Sequence, residues 1–194
     1  MKKVVVIGAG AAGMMAAITA AQSGASVTLI EKNEKTGKKI FITGKGRCNV
    51  TNGCEHDEFF DNIVSNSKFL YSAYAAFDNR SMMELLKEAG CPLKEERGKR
   101  IFPQSDHSSD VIAALNRLLK KERVKVLFHT AVRELLLEEL PEEAQREASK
   151  DSAKQKVSGV LLVDGTTIKA DAVIVATGGQ SYEATGSTGD GYRL

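Results

Sequence analysis

The chain has 194 residues, of which 42% are hydrophobic and 27% are charged, with 27 basic and 25 acidic residues and a formal net charge of +2. This composition is typical of soluble globular domains, so it argues against a disordered chain or a membrane protein. The near-neutral charge predicts neither a nucleic-acid partner nor an anionic membrane partner, and any anion site must be local. Three cysteines are an odd number, which favours free thiols in a reducing compartment and a cytoplasmic protein.

The first thirty residues predict a βαβ unit. Residues 3–7 are a short β-branched run that is typical of a strand buried on both faces. Residues 11–23 predict a helix, and residues 26–30 predict a second strand. Such a unit is parallel and right-handed.

The sequence GAGAAG at residues 8–13 lies between that strand and that helix, where the dinucleotide-binding fingerprint G-x-G-x-x-G is found. Gly8 permits the tight turn, Gly10 lets the backbone approach a pyrophosphate, and Gly13 lets the helix pack closely on the strand. The helix N-terminus adds partial positive charge. The cofactor-binding residues predicted from this motif are Gly8, Gly10, Ala11, Ala12 and Gly13.

A secretory signal is the alternative interpretation of the N-terminus, because two lysines precede an apolar run that reaches residue 21. The glycines that divide the run favour a strand, a turn and a helix over one continuous apolar helix. No later segment is predicted to cross a membrane.

Glu31 stands at the end of the second strand, where a carboxylate can accept hydrogen bonds from a ribose. The alternative is a solvated glutamate at a strand end. The fingerprint and Glu31 together favour ribose binding, and the negative charge disfavours a ribose that carries a 2′-phosphate.

Residues 33–52 are rich in Gly, Lys, Thr and Asn and predict a long structured loop, a feature that is usually functional or disordered. A plain nicotinamide domain would continue with another short βα unit, so the loop favours FAD over NAD. A solvated basic loop is the alternative. The cations that lie among its glycines, where they could face a pyrophosphate or a reduced flavin, are Lys38, Lys39, Lys45 and Arg47.

The middle of the chain predicts helices and a hairpin. Helical patterns occupy residues 57–65, 69–77, 81–89 and 109–122, and residues 93–102 resemble a hairpin.

The last part of the chain predicts strands. An antiparallel pair at 132–140 and 157–163 flanks a charged stretch, 141–156, for which we expect a mobile tip. Further strands are predicted at 124–128, 166–169 and 172–176.

Two segments resemble a known family. KTGKKIFITGKGRCNVTN at residues 35–52 is similar to the signature of bacterial NAD(P)/FAD-dependent oxidoreductases, the aminoacetone oxidase family of FAD-binding enzymes. ATGGQSYEATGSTGDGY at residues 176–192 resembles that family's ATGG-x-SYP-x-TGSTGDGY segment, with Glu183 where the family usually has proline. The resemblance covers residues 1–194 and implies the glutathione-reductase-like superfamily: an α/β, Rossmann-like FAD/NAD(P)-binding three-layer fold with a parallel central sheet plus an antiparallel β-meander.

The resemblance also implies roles for individual residues. Those implied to hold the adenosine and the pyrophosphate are Gly8, Gly10, Gly13, Glu31 and Lys32. Those implied to approach the flavin are Thr43, Gly44, Arg47, Cys48, Asn49 and Thr51. The backbone of Val132 is implied to meet the adenine, and the turn Thr177, Gly178, Gly179 is implied to pass the cofactor.

No catalytic residue is predicted. Cys48 near a flavin suggests a disulfide-reductase mechanism, but it lacks a close cysteine partner, so a packing thiol is favoured. Cys54 and His56 are two ligand types and do not make a metal site, so no metal is expected. The redox chemistry would belong to the flavin.

The predicted function is an FAD-dependent oxidoreductase that moves a hydride between a small organic substrate and the flavin, with NAD(P)H or oxygen as the second partner. The alternatives are a non-catalytic dinucleotide-binding module and a flavin-dependent tRNA-modifying enzyme. In the family that the chain resembles, the FAD domain is discontinuous. Residues 1–194 are therefore expected to be an incomplete FAD-binding domain without the inserted substrate domain and the C-terminal return segment. The substrate and the oligomeric state do not follow from the sequence.

Overall fold

A computed structural model of the chain describes residues 1–140, 154–181 and 188–194. Most of the tip predicted at residues 141–156 lies outside the described residues, as does Glu183. The chain divides into two compact units. The first unit contains Met1–Lys38 and Leu118–Leu194, and the second contains Lys39–Arg117. The prediction that residues 1–194 are one FAD-binding domain stays a prediction.

The helices and strands of the described residues are numbered in chain order. The strands are β1 (Lys3–Ile7), β2 (Ser26–Ile30), β3 (Thr51–Asn52), β4 (Leu93–Glu96), β5 (Arg100–Pro103), β6 (Lys125–Leu127), β7 (Val132–Glu139), β8 (Gln155–Leu162), β9 (Thr167–Lys169) and β10 (Ala172–Val175). The α-helices are α1 (Ala11–Gln22), α2 (Lys38–Ile42), α3 (His56–Asp61), α4 (Tyr71–Ala76), α5 (Asn79–Glu88) and α6 (Ser108–Lys121).

A four-stranded parallel sheet in the order β10-β1-β2-β6 forms the centre of the first unit. In register, Val5 of β1 lies opposite Val173 of β10 and Thr28 of β2. β1 is buried on both faces, as its run of β-branched residues predicts. The parallel sheet, the βαβ unit and the bounds of β1 and β2 are confirmed.

The parallel sheet of the first unit lies between two layers. Helix α1 contacts β1, β2 and β10 through a face that contains the buried Met14 and Ile18. On the other face lies the antiparallel sheet β7-β8-β9, whose Val160 and Leu162 pack in one core cluster with Val5 of β1. Burying such aliphatic side chains contributes about 1.5–3 kcal/mol each. The predicted three-layer α/β fold with an antiparallel β-meander is therefore confirmed.

The second unit contains a three-stranded antiparallel sheet in the order β3-β5-β4 together with α3, α4 and α5. The hairpin predicted at residues 93–102 is present as β4 and β5. Asp78 is the N-cap of helix α5, and its carboxylate accepts hydrogen bonds from the backbone N–H of Ser81 at 2.7 Å and from its hydroxyl at 2.6 Å. These bonds lower the pKa of Asp78.

Two segments differ from the prediction. The loop predicted at residues 33–52 contains α2, a 3-10 turn at Thr43–Gly46 and β3. Burial of Ile40 favours helix α2, and the hydroxyl of Thr43 donates to the carbonyl of Ile40 at 2.9 Å, where the helix passes into the 3-10 turn. The helix predicted at 57–65 ends at Asp61, before Asn66 adopts a left-handed conformation (φ 57°) that an α-helix cannot accommodate.

Candidate functional site

The glycine turn between β1 and α1 is built by close backbone packing. Gly8 has a φ of 100°, and its N–H donates to the carbonyl of Ile30 at 2.8 Å. A Cβ on Gly8 would lie 2.6 Å from the carbonyl oxygen of Ala176, and one on Gly13 would lie 1.8 Å from that of Gly8. Neither position has room for a side chain, so the turn and the contact between α1 and the sheet both require glycine.

Gly10 differs from its two neighbours in the fingerprint. Its backbone is extended (φ −76°, ψ −172°), and a Cβ there would meet nothing within 4 Å. It is the N-cap of α1, and the next two residues, Ala11 and Ala12, are exposed. The N–H groups of a first helical turn have no intrahelical acceptor and attract anions. The open space leaves this helix terminus accessible to an anion, and binding of a dinucleotide's diphosphate there stays a prediction.

Glu31 lies at the carboxyl end of β2 and is buried, with 8% of its surface exposed. One carboxylate oxygen accepts the N–H of Ala9 at 2.8 Å. The other accepts the backbone N–H of Asn33 at 2.9 Å and its side-chain amide at 2.6 Å. A carboxylate has about four acceptor positions, so three protein donors leave room for one ribose hydroxyl. The ribose contact stays a prediction.

Three residues that the motif reasoning missed complete this turn: Ala9, Asn33 and Gly37. The carbonyl of Ala9 accepts the N–H of Gly37 at 2.8 Å, which joins the glycine turn to the segment after β2. The asparagine two residues after Glu31 could have been predicted to contact it, because asparagine side chains commonly form hydrogen bonds with groups nearby in the sequence. No sequence pattern indicates Ala9, because its contacts are made by its backbone N–H and carbonyl and not by its side chain.

Lys32 is among the residues that the resemblance implies hold the adenosine and the pyrophosphate, and in the structure it binds two side chains of the protein. Its ammonium donates to the hydroxyl of Thr188 at 2.8 Å and to the carboxylate of Asp190 at 2.6 Å. The bond from Lys32 lowers the pKa of Asp190, and Arg193 adds a second cation at 3.4 Å. Lys32 therefore joins the end of β2 to the last described segment.

The turn of Thr177, Gly178 and Gly179 follows β10 at the same end of the parallel sheet as the glycine turn. A Cβ on Gly8 would lie 3.1 Å from Thr177 Cα as well as close to the carbonyl of Ala176, so this turn packs directly on the glycine turn. Gly178 has a φ of 81°. The structure therefore brings the fingerprint, Glu31 and this turn together at the carboxyl ends of parallel strands, where open α/β sheets bind ligands.

Val132 begins β7 opposite Leu162, and its side chain packs against the core cluster of the first unit. The preceding connection is tied to the site, because the N–H of Thr130 donates to the carbonyl of Glu31 at 3.0 Å. The connection before Val132 thus lies beside Glu31. The predicted contact between the Val132 backbone and an adenine stays a prediction.

The glycine-rich turn at Thr43–Gly46 belongs to the second unit. It contains left-handed backbone at Gly44 (φ 57°), Lys45 (φ 58°) and Gly46 (φ 85°). A non-glycine residue in this region costs about 1–2 kcal/mol. The turn is held by backbone bonds from Arg47 N–H to the Gly44 carbonyl at 3.2 Å and from Cys48 N–H to the Thr43 carbonyl at 3.1 Å.

Arg47, predicted to approach the flavin, makes ion pairs with Glu96 and Asp106 inside the second unit. Its guanidinium also lies over the ring of Phe102, 4.3 Å from the centroid. Lys94 contacts the same Asp106 at 2.6 Å. The bonds from Lys94 and Arg47 lower the pKa of Asp106, and the carboxylates raise the pKa of Arg47. This network anchors the glycine-rich turn to β4 and β5.

Cys48 is buried, and burial raises the pKa of its thiol, partly offset by a hydrogen bond with Thr43. These are the properties of a packing thiol rather than a reactive one. All three cysteines, Cys48, Cys54 and Cys91, are buried free thiols in the structure.

The remaining predicted residues of this loop have ordinary roles in the described structure. If the oxygen and nitrogen of the Asn49 side-chain amide are exchanged, the amide donates to the carbonyls of Thr51 and Ile101 at 3.0 and 3.2 Å. Thr51 begins β3 opposite Ile101, and Lys39 is exposed on α2. Their predicted flavin contacts stay predictions.

Neither a metal cluster nor a membrane helix occurs in residues 1–140, 154–181 and 188–194. No group of three or more His, Cys, Asp and Glu side chains there could hold a metal ion. None of the helices in this part of the chain combines the length and the apolarity that spanning a membrane requires.

Comparison with known proteins agrees with this geometry. Residues 2–194 match the family described as HI0933-like protein Rossmann domain. The chain belongs to this family. It is 36% identical over 201 residues to a 3-dehydro-bile acid delta(4,6)-reductase of Clostridium scindens, covering 100% of this chain and 43% of the reductase. It is 30% identical over 190 residues to a ribosomal RNA dihydrouridine synthase of Haemophilus influenzae, covering 98% of this chain and 43% of that protein.

Solved structures show the same fold at low identity. The 3-ketosteroid-delta4-(5alpha)-dehydrogenase of Rhodococcus jostii RHA1 superposes with a TM-score of 0.65 at 18% identity, covering 93% of this chain and 47% of the dehydrogenase. The chain thus spans less than half the length of the curated relatives named above. The family and the fold that the sequence predicted are confirmed.

Proposed function

We propose that this chain is the FAD-binding portion of an FAD-dependent oxidoreductase, which moves a hydride between a small organic substrate and the flavin. The observation that carries the proposal is the open space at Gly10, at the N-terminus of α1 and next to the buried Glu31. A purely structural turn would not need an open helix terminus beside a buried carboxylate. A dinucleotide would use both, with its diphosphate at the helix and its ribose at Glu31.

The chain's own residues would bind and orient the cofactor. The N–H groups at the start of α1 would donate to the diphosphate, and Glu31, already held by Ala9 and Asn33, would accept one ribose hydroxyl. Asp106 anchors the glycine-rich turn around Arg47 within the second unit, and the contact of this turn with the flavin stays a proposal. When bound, FAD would supply the hydride chemistry, so these residues act by positioning and by electrostatics.

The names of the relatives favour reduction of the substrate. One relative is named a reductase of a bile acid, and another is named for a dihydro product, which carries two more hydrogen atoms than its precursor. We therefore propose hydride transfer from the reduced flavin to the substrate, with NAD(P)H as the electron donor. A small-molecule substrate and a cytoplasmic location, which the free thiols favour, complete the proposal.

A second candidate is modification of RNA, because a ribosomal RNA dihydrouridine synthase is 30% identical over 98% of this chain. The formal net charge of +2 provides no overall attraction to RNA. The bile acid reductase is also the more similar of these two relatives, at 36%. We therefore rank a small organic substrate first. A non-catalytic dinucleotide module is the third candidate.

The test is a visible absorbance spectrum of the purified protein after FAD is added and the sample is desalted, with the bound cofactor identified by mass. About one equivalent of FAD that bleaches with NADH or NADPH supports the oxidoreductase. Retained FAD that no nicotinamide reduces favours the non-catalytic module or another donor. Binding of NAD in place of FAD would overturn the proposal. Reoxidation of the reduced protein by an unsaturated steroid ketone, but not by unmodified ribosomal RNA, separates the first candidate from the second.

A further inference from the structure

Two neighbouring residues at the end of β2 hold two different parts of the first unit. Glu31 binds the N–H of Ala9 in the glycine turn at 2.8 Å. Lys32 binds Thr188 and Asp190 at 2.8 and 2.6 Å. The glycine turn and the segment 188–193 are therefore both attached to the same strand end.

The segment 188–193 is also packed against the turn that follows β10. The N–H of Gly189 donates to the carbonyl of Gly179 at 3.2 Å. Gly191 lies so close to this turn that a Cβ would be 2.6 Å from the hydroxyl oxygen of Thr177. Thr177 in turn lies against Gly8. The segment therefore forms one edge of the cofactor-binding end of the sheet.

The pair of Lys32 and Asp190 is suited to hold this edge. The two side chains are 39% and 37% exposed, so water and salt screen the attraction only in part. Arg193 reinforces the segment internally, because its guanidinium donates to the carbonyl of Thr188 at 2.7 Å. Arg193 is itself part of the segment, so it cannot replace the link from Lys32 to β2.

We propose that Lys32 and Asp190 form a latch that positions residues 188–193 at the edge of the FAD site and slows the departure of the cofactor. Lys32 is thus a positioning residue whose partner is Asp190 rather than the pyrophosphate. The cofactor part of this inference rests on the proposed binding of FAD. The latch itself rests on the contacts between the two side chains.

The first test measures the rate at which FAD leaves the loaded protein. Lys32→Met keeps the unbranched stem of the side chain and removes its charged ammonium group. We expect dissociation to become about 2- to 5-fold faster, as for a partly screened ion pair. Lys32→Arg should restore the slow rate. Added salt should speed dissociation from the wild type and have less effect on Lys32→Met. Equal rates for the wild type and Lys32→Met would overturn the role in cofactor retention.

Lys169→Met is the matched control, because it removes the same charge from the same unit. Lys169 lies with Lys2, Lys3 and Asp171 around a groove at the amino ends of β1 and β10, opposite the cofactor end. It should leave the dissociation rate unchanged. The double variant Lys32→Asp with Asp190→Lys reverses the pair and should recover part of the retention that each single variant loses. Additive losses in the double variant would show that the two residues do not act as a pair.

The second test needs no cofactor. Hydrogen exchange of the backbone amides in residues 188–193 is compared between the wild type and Lys32→Met in the absence of FAD. We expect faster exchange in the variant, confined to this segment. Unchanged exchange would overturn the latch. If the wild type does not bind FAD, the proposed function fails, and this measurement still decides whether the latch exists.

Discussion

Gly10→Ala is the substitution that best separates cofactor binding from folding. A Cβ at this position meets nothing within 4 Å, and the backbone (φ −76°, ψ −172°) is one that alanine adopts without strain. Alanine is a poorer N-cap than glycine, but it also has fewer unfolded conformations to lose, and each effect is worth about 0.5–1 kcal/mol. Because the two effects oppose each other, we expect the free energy of unfolding to change by less than about 1 kcal/mol.

The methyl group of Gly10→Ala would occupy the space where a diphosphate approaches the helix terminus. We expect the affinity for FAD to fall at least about 10-fold, which corresponds to about 1.4 kcal/mol. Gly13→Ala is the matched contrast, because its Cβ would lie 1.8 Å from the carbonyl oxygen of Gly8. That contact forces the backbone apart, and we expect a loss of about 3 kcal/mol of stability, the upper range for overpacking.

The assay for both variants is an FAD titration followed by flavin fluorescence, with urea unfolding of the same samples without cofactor. The expected pattern is a stable Gly10→Ala protein that binds FAD weakly and an unstable Gly13→Ala protein. Wild-type affinity in Gly10→Ala would refute the assignment of this space to the diphosphate. Loss of stability in Gly10→Ala as large as in Gly13→Ala would refute the packing argument.

Three further predictions concern Glu31, Asp106 and Cys48. Glu31→Gln replaces one acceptor oxygen by a donor, so we expect it to weaken both the hydrogen bond from the N–H of Ala9 and the ribose contact. FAD affinity should fall about 10-fold in the same titration. Unchanged affinity would contradict the ribose contact. Lys94 and Arg47 lower the pKa of Asp106 in the folded protein from its ordinary value of 3.8. The ionised Asp106 carboxylate therefore stabilises the folded protein above pH 3.8, and this stabilisation is lost as the pH falls through the lower pKa of the folded state. Asp106→Asn should therefore reduce the loss of stability on acidification, measured by urea unfolding at neutral and acidic pH, and an unaltered pH dependence would argue against the network. Burial raises the pKa of Cys48, so a thiol reagent at neutral pH should react with it slowly in the folded protein and quickly in urea, whereas fast reaction in the folded state would point to a reactive thiol.

The local elements of the first unit were predictable because short-range forces decide them. The β-branched run of β1 and the placement of Gly8 and Gly13 follow from backbone sterics, which act between residues that are near in sequence or directly packed. The loop at 33–52 was predicted only in outline, because burial of Ile40 turns part of it into helix α2. Burial depends on neighbours that a local pattern does not contain.

The sequence by itself determined the parallel βαβ core, the glycine turn with Glu31 at its base, and the antiparallel β-meander, because periodicity and turn chemistry encode them. Only the tertiary structure decided the partners of the charged side chains. Lys32 binds Asp190, and Arg47 binds Asp106. Both pairs join residues far apart in the chain, and a lysine or arginine in a loop is chemically able to bind a phosphate or a carboxylate equally well. Which anion each cation binds is set by distance in the folded chain, and composition does not specify that distance.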